Sequence, residues 1–442
     1  MTIETHVIDR ATDSALFSPL QVGAMSLSHR IVHAPMGRGR GRESENVPGT
    51  YVPWEIEAKY YIQRATPGGM LITSALPISE EAKGGSFVGG PAMYTEDQKL
   101  AWKKVLTEIK KTGAVMVAQI WHGGRTSGHG KLPCVSSSAT RIEYNPRTKQ
   151  PNPPPREMTV EDIKRTIADY ARSARLAIDA GFDGVEVHGA NGYLCDQFLH
   201  DNINRRTDEY GGSIENRNRF VLEMVDAICA EIGSDRFGLR LAPYGFFNEC
   251  KGSDRVAQWT KLCTELRSRN LAYVSFMEAR YDEFLGQKEK LAALGQTLNS
   301  DDFGSPEEQS LPTIAPFRAA LGGKEGTKVM VAGGYDTENC WGAVESGLTD
   351  MIAYGRYFTS NPDLVYRIRH QLPLVKYIRP LFYTYPKGQP EAGYTTFAPH
   401  ESNLKTEEDK ELYAIQQKNG ISLVENGWQL SQDGVQMGEI FV

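Results

Sequence analysis

The sequence predicts an α/β protein of the (β/α)₈, or TIM barrel, architecture, with an N-terminal hairpin cap and a C-terminal extension. Three observations predict it. Eight short apolar runs recur along the chain: Ile31–Met36, Met70–Ser74, Val115–Trp121, Gly184–His188, Phe237–Ala242, Ala272–Met277, Val329–Ala332 and Asp350–Tyr354. Each is rich in Val, Ile, Leu or Met and barely alternates, as strands of a parallel sheet covered on both faces must be. Helix-like segments lie between them, and eight strands each followed by a helix is the count of a closed barrel. The third observation is negative. No GxGxxG follows the first run, and no linker divides the chain into two open sheets, which disfavours a doubly wound fold.

In chain order, residues 1–15 are expected to be flexible. Residues 17–30, FSPLQVGAMSLSHR, read as a short hairpin placed to close the barrel floor. The Pro-rich stretch Pro146–Pro155 reads as a surface loop. Thr159–Ala180 is a helix: Thr159 stands as N-cap with Asp162 at the capping-box spacing, and Gly181 follows as the stop. Ile214–Ile232 and Val256–Asn270 behave likewise. Asp336 followed by Glu338 opens another helix, and Asn361-Pro362 is expected to start the last, with Pro at the favoured first position. The barrel is expected to span 16–398 and an extension 399–442, packing on the barrel or on a dimer partner. Within the extension KTEEDKELYAIQQK reads as a helix, while GISLVENGWQL, with Trp428 as its largest anchor, and GEIFV are apolar enough to pack.

Composition limits the function classes. The 442 residues carry 49 basic against 55 acidic side chains, a formal charge of −6, which argues against nucleic acid because a phosphate-binding face needs excess Lys and Arg. No run approaches the roughly 18 apolar residues of a membrane span, and MTIETHVIDRATDSALF lacks the apolar stretch of a secretory signal. Six cysteines, at 134, 195, 229, 250, 263 and 340, show neither CxxC nor zinc spacing. They read as reduced thiols, and the expected location is cytoplasmic.

In a barrel, chemistry belongs at the C-terminal strand ends. Strand one ends Ala34-Pro35-Met36-Gly37-Arg38, strand three Gln119-Ile120-Trp121-His122, and strand four Val187-His188-Gly189-Ala190-Asn191-Gly192-Tyr193. Strand five carries Arg240, strand seven runs into Gly333-Gly334, and strand eight into Gly355-Arg356. No strand end holds a lysine for a Schiff base or a carboxylate pair for glycoside hydrolysis, and no metal cluster is evident. Glu186, two residues before His188, is expected to point away from it and to be structural. The glycines and Arg356 fit a phosphate site after strands seven and eight, although glycines there also serve simply to turn the chain. His188 and Asn191 can both donate to one carbonyl oxygen, and Tyr193 can supply a proton. The competing reading is of a packed or capping histidine.

The motif HGANGYLCDQFLHDNINRRTDEYGGSIENRNRF (His188–Phe220) makes the reading specific. With LFSPLQVGAMSLSHRIVHAPM, VMVAQIWHGGR, FGLRLAPYGFFNE and AYGRYFTSNPDLVYRI, in that order, it resembles the old yellow enzyme family of FMN-dependent ene-reductases over roughly residues 16–385. The resemblance implies a TIM barrel holding non-covalent FMN, with NADPH or NADH as reductant. It also assigns roles. His188 and Asn191 match the pair that binds the substrate oxygen, and Tyr193 the proton donor. Gln119 and Arg240 match contacts to the flavin ring, with Arg240 where negative charge gathers in the reduced cofactor. Gly333, Gly334, Gly355 and Arg356 match the phosphate clamp. Ala34, Pro35 and Met36 match the strand-one lining, with Gly37 beside them, and Ala75 a position near it. Trp121, Phe247, Phe284 and Tyr383 fall near the substrate walls.

Two departures stand out. Gly37 replaces a Thr or Cys whose hydrogen bond tunes the flavin; its loss is worth about 1.5–3 kcal/mol and is expected to lower the potential. Gly334 replaces a common Asn. The reaction implied is reduction of an α,β-unsaturated carbonyl substrate, an enone or enal, with hydride from flavin N5 and a proton from Tyr193. Desaturation or redox-neutral isomerisation with the same flavin, a non-catalytic FMN-binding scaffold and a flavin-free barrel lyase are the alternatives. A small-molecule partner and no nucleic acid, membrane or metal are expected, and a homodimer fits barrels of this kind.

Overall fold

The computed structural model describes residues 11, 14–85, 88–127, 132–145, 148–279, 287–295 and 312–419. Its centre is a closed sheet of eight parallel strands: β1 (Ile31–His33), β2 (Met70–Ile72), β3 (Val115–Trp121), β4 (Gly184–Gly189), β5 (Phe237–Leu241), β6 (Tyr273–Met277), β7 (Lys328–Ala332) and β8 (Met351–Tyr354). Each bonds to its successor and β8 returns to β1, so the ring has no edge. All eight expected strands are present. β1 and β2 end earlier than their apolar runs because the chain leaves the sheet: the Ser74 N–H, for example, donates to the Tyr61 hydroxyl at 3.3 Å. A further pair, Leu76–Pro77, runs parallel beside Ile120 and Trp121 at the top of β3.

Side-chain alternation divides the core into two. Outward residues such as Val185, Val187, Leu239 and Val274 join one large cluster with the surrounding helices. Inward residues Val32, Met70, Ile72, Val117, Tyr273, Met330 and Met351 form a second, interior cluster. The predicted hairpin, Leu20–Val22 against Met25–Leu27, inserts Val22, Met25 and Leu27 into that interior cluster. The Ala24 N–H donates to the carbonyl of Asp235, just before β5, so the hairpin closes the N-terminal end as expected.

The helices include α1 (Glu55–Arg64), α2 (Glu96–Lys110), α3 (Val160–Ala180), α4 (Ile214–Ile232), α5 (Arg255–Arg267), α6 (Ala315–Ala320), α7 (Cys340–Glu345) and α8 (Leu364–Arg369); others, among them Leu194–Leu199 and Gln287–Gly295, lie between. The Thr159 capping box forms: its hydroxyl accepts the Asp162 N–H at 3.1 Å and the Asp162 carboxylate accepts the Thr159 N–H at 2.9 Å. Asp336 accepts N–H bonds from Glu338 and Asn339, making the turn ahead of α7. Asn361-Pro362 does not start the last helix. Asn361 instead ends the short helix Arg356–Ser360, its amide donating to Val375 O and Tyr357 O, and α8 begins two residues beyond Pro362. Asn361 Oδ1 accepts the Val375 N–H at 2.8 Å, so the acceptor that an N-cap needs is already engaged elsewhere.

Beyond Ala398, a helix over Glu407–Asn419 follows. The His400 N–H donates to Asp363 at 2.8 Å, the Tyr366 hydroxyl to Ser402 O at 3.2 Å, and Lys59 pairs with Glu408. Trp428 and Phe284 lie outside the described residues. Among those described, no helix is long and apolar enough to cross a membrane.

The buried ion pair Arg318–Asp350 joins α6 to the base of β8, through Nη1–Oδ2 at 2.5 Å and Nη2–Oδ1 at 3.1 Å. Asp350 also accepts the Val329 N–H of β7. Removing one partner leaves a buried charge uncompensated. Arg318→Met is therefore expected to lower the unfolding free energy by about 3–5 kcal/mol, read from denaturant midpoints. A loss below about 1 kcal/mol would show that the pair behaves as a surface bridge.

Candidate functional site

The polar inward side chains of the strands cluster on one side of the barrel mouth. On β3, β4 and β5 the inward positions are Gln119 and Trp121, Glu186 and His188, and Arg240. Strand register sets Glu186 beside Gln119 and His188 beside Arg240. Glu186 does not face away from His188, contrary to expectation, because residues two apart in a strand share a face. Its carboxylate is fully buried and accepts the Gln119 amide N–H at 2.7 Å. Burial raises its pKa, and Arg240 and Gln119 act in the opposite direction.

His188 is 8% exposed. Its Nδ1 accepts the Ala190 N–H at 3.3 Å. Burial, followed by the Arg240 charge, holds its pKa well below the ordinary value. A neutral imidazole whose Nδ1 is an acceptor carries its proton on Nε2. His188 is thus a neutral donor. The Tyr193 ring meets His188 edge-on at 4.8 Å between centroids and Trp121 at 5.0 Å. Three of the predicted residues therefore form one aromatic cluster.

Asn191 lies between His188 and Tyr193 in an unusual turn, with φ of 59°. Asparagine tolerates that left-handed conformation better than most residues. Side chains from elsewhere hold the turn. Asp196 accepts the Gly192 N–H at 2.9 Å, Gln197 donates to Gly192 O at 2.8 Å, and Asn248 donates to Asn191 O at 2.9 Å. Phe247 also abuts the turn, since a Cβ on Gly192 would lie 2.7 Å from its carbonyl oxygen. None of the three holding residues was expected from the sequence. Asp196 and Gln197 sit inside the recognised motif, but their role depends on a fold-back that spacing does not show.

The other side of the mouth joins the ends of β1 and β8. The Ala34 N–H donates to Tyr354 O, and a Cβ on Gly355 would lie 3.0 Å from the Met36 sulfur. Pro35 and Gly37 flank Met36 half-buried, and Ala75 is buried just before the segment along Trp121. Gly333 and Gly334 follow β7, with open space where a Gly334 Cβ would stand. Arg356 Nη1 donates to the Tyr377 hydroxyl at 2.6 Å. Tyr383 is exposed, and neighbouring Phe382 packs on Tyr377. The Phe382 carbonyl accepts from both Arg38 and Arg40, which pins this segment over the end of β1.

Asp196, His200 and Cys250 form a buried group whose ligand-type atoms lie within 4.8 Å of one another. Positive charge is already supplied there by Arg255, which acts on all three. Burial pushes the Asp196 carboxyl up to about 7. A carboxyl with a raised native pKa contributes stability that is full below its unfolded value and lost as pH rises through the native one. Relative to Asp196→Asn, the protein is expected to lose on the order of 4 kcal/mol between pH ~4 and ~7, measured by urea unfolding. A difference that does not vary with pH would mean that Asp196 is ionised throughout.

Known proteins resemble this chain in sequence and fold. A profile described as "NADH:flavin oxidoreductase / NADH oxidase family" matches residues 15–375. Flavin oxidoreductase hxnT of Emericella nidulans is 41% identical over 394 residues, 86% of this chain and 97% of that protein. 12-oxophytodienoate reductase 2 of Arabidopsis thaliana is 37% identical over 88% of this chain and 96% of its own. The solved old yellow enzyme homologue from Zymomonas mobilis superposes with a TM-score of 0.74 at 31% identity, covering 87% of this chain and 99% of that one. Morphinone reductase does so with 0.74 at 32%, covering 89% and 98%. The chain belongs to the NADH:flavin oxidoreductase family, the old yellow enzyme type of FMN-dependent oxidoreductase that takes its electrons from NAD(P)H.

Proposed function

We propose that this protein reduces the activated C=C bond of an α,β-unsaturated carbonyl compound. The observation that carries the reading is a neutral histidine donor packed against a tyrosine at the barrel mouth, with the backbone of Asn191 between them in the chain held by Asn248.

The residues present fit FMN. Arg240 offers donors of the kind a flavin ring oxygen needs, and Gln119, whose amide nitrogen is held by Glu186, offers an amide oxygen of the kind a ring N–H needs. Arg356 and the open backbone at Gly334 offer donors of the kind a phosphate needs. FMN, when bound, supplies hydride to the substrate after reduction by NAD(P)H. The chain supplies the rest. His188 Nε2–H and the Asn191 amide bind the substrate oxygen, so that negative charge developing there meets preorganised donors. Keeping His188 neutral matters, because it then stabilises that charge without giving up its own proton. Tyr193, packed between His188 and Trp121, holds the proton delivered to the carbon next to the carbonyl. Trp121 and Phe247 restrict how the substrate lies. The unit assigned this role is residues 16–398, which the described part of the extension meets through His400, Ser402 and Glu408.

Anaerobic stopped-flow tests the cycle. Flavin absorbance is expected to bleach on adding NADPH and to recover on adding a cyclic enone. A flavin that NADPH scarcely reduces would favour desaturation or isomerisation. Protein that takes up no flavin would overturn the proposal. Tyr193→Phe is expected to slow enone-driven recovery by about 10²-fold or more while leaving the NADPH step within a few-fold. Equal slowing of both steps would remove the proton-donor role. Arg356→Ala is expected to weaken FMN binding by about tenfold or more, measured by fluorescence titration; unchanged affinity would place the phosphate elsewhere.

A further inference from the structure

Among the inward positions of the barrel, Glu186 is the one whose chemistry fits its surroundings least. The inward positions of β1, β2, β7 and β8 are filled by Val32, Met70, Ile72, Met330, Met351 and similar apolar side chains. An apolar residue at 186 would extend that packing. Instead there is a carboxylate with no exposure, approached by the Gln119 amide and the Tyr273 hydroxyl. Such a group costs folding free energy, and its retention calls for a reason beyond packing.

Its neighbours supply one. Glu186 Oε1 accepts from Gln119 Nε2, and Arg240 on the adjoining strand is close enough to favour the ionised carboxylate. A carboxylate accepts and cannot donate, so the Gln119 amide must turn its nitrogen toward Glu186. The amide oxygen is then the end left for a ligand. A guanidinium paired with a buried carboxylate also presents less net positive charge to a third group than one standing alone.

We propose that Glu186 is a positioning residue for the flavin, fixing the polarity with which Gln119 meets the ring and moderating the positive charge that Arg240 offers it. The proposal rests on the reading that Gln119 and Arg240 contact FMN. Glu186 acts through both residues and touches neither substrate nor hydride.

The test separates the two effects and checks that underlying reading. Glu186→Gln keeps an acceptor for Gln119 and removes the charge. It is expected to bind oxidised FMN within threefold of the unaltered protein, and to raise the ratio of reduced to oxidised affinity about tenfold. That is an upward shift of ~30 mV for a two-electron couple, read by xanthine oxidase titration against a reference dye. Glu186→Leu removes the acceptor as well and is expected to weaken oxidised FMN binding tenfold or more. Melting temperature accompanies both variants, and if Glu186→Leu does not fold, the potential of Glu186→Gln decides alone. Gln119→Leu and Arg240→Met serve as the check. If they weaken FMN binding while Glu186→Gln leaves the potential unchanged, the role of Glu186 is refuted and the flavin site stands. If they too leave affinity unchanged, the flavin contacts are misassigned and the inference falls with them.

Discussion

The hydrogen bonding between β3 and β4 closes the barrel, and its register is the constraint on which the site depends. Val117, Ala118, Gln119 and Ile120 lie opposite Gly184, Val185, Glu186 and Val187. Side chains alternate with a period of two, so a slip of β4 by one residue would turn Glu186 and His188 out among the helices and bring Val185 and Val187 into the mouth. The apolar outer cluster resists that slip. Val185 and Val187 are buried beside α3 and α4, and neither place would accept a carboxylate. The same packing that stabilises the outside of the barrel thus holds the polar residues inside it.

That arrangement leaves the barrel with two different ends. The floor is sealed by a hairpin and by methionines and valines, whose burial is favourable. The mouth carries buried polar groups on β3, β4 and β5, which cost free energy unless paired. Pairing extends outward from them. Glu186 takes Gln119, Arg240 stands beside His188, and Asp196, Gln197 and Asn248 hold the turn that presents Asn191 and Tyr193. Rigid support of this kind suits a site whose donors must already be placed when charge develops on a substrate.

Much of this was legible in the sequence, for identifiable reasons. Strands buried on both faces are uninterrupted apolar runs, and all eight could be found that way. The start of α3 was legible because Thr159 and Asp162 cap it locally. The strand-end residues were legible because a barrel places function there, and His188, Tyr193 and Trp121 do meet. The orientation of Glu186 was misjudged, although the i, i+2 rule was sufficient to put it beside His188. Asn361-Pro362 was misjudged because the Asn361 side chain bonds to Val375, a partner that local sequence does not reveal.

By itself the sequence determined what depends on short-range periodicity and on recognisable spacing: the strand count, the hairpin, the capped helices and the residues of the mouth. The tertiary structure alone decided which groups share protons and charge. Arg38 and Arg40 fasten the segment around Phe382 more than three hundred residues away, and Arg318 finds Asp350. Asn248 reaches the carbonyl of Asn191. Hydrogen bonds and ion pairs act over a few ångströms of space irrespective of separation along the chain. Their partners therefore exist only once the barrel has closed.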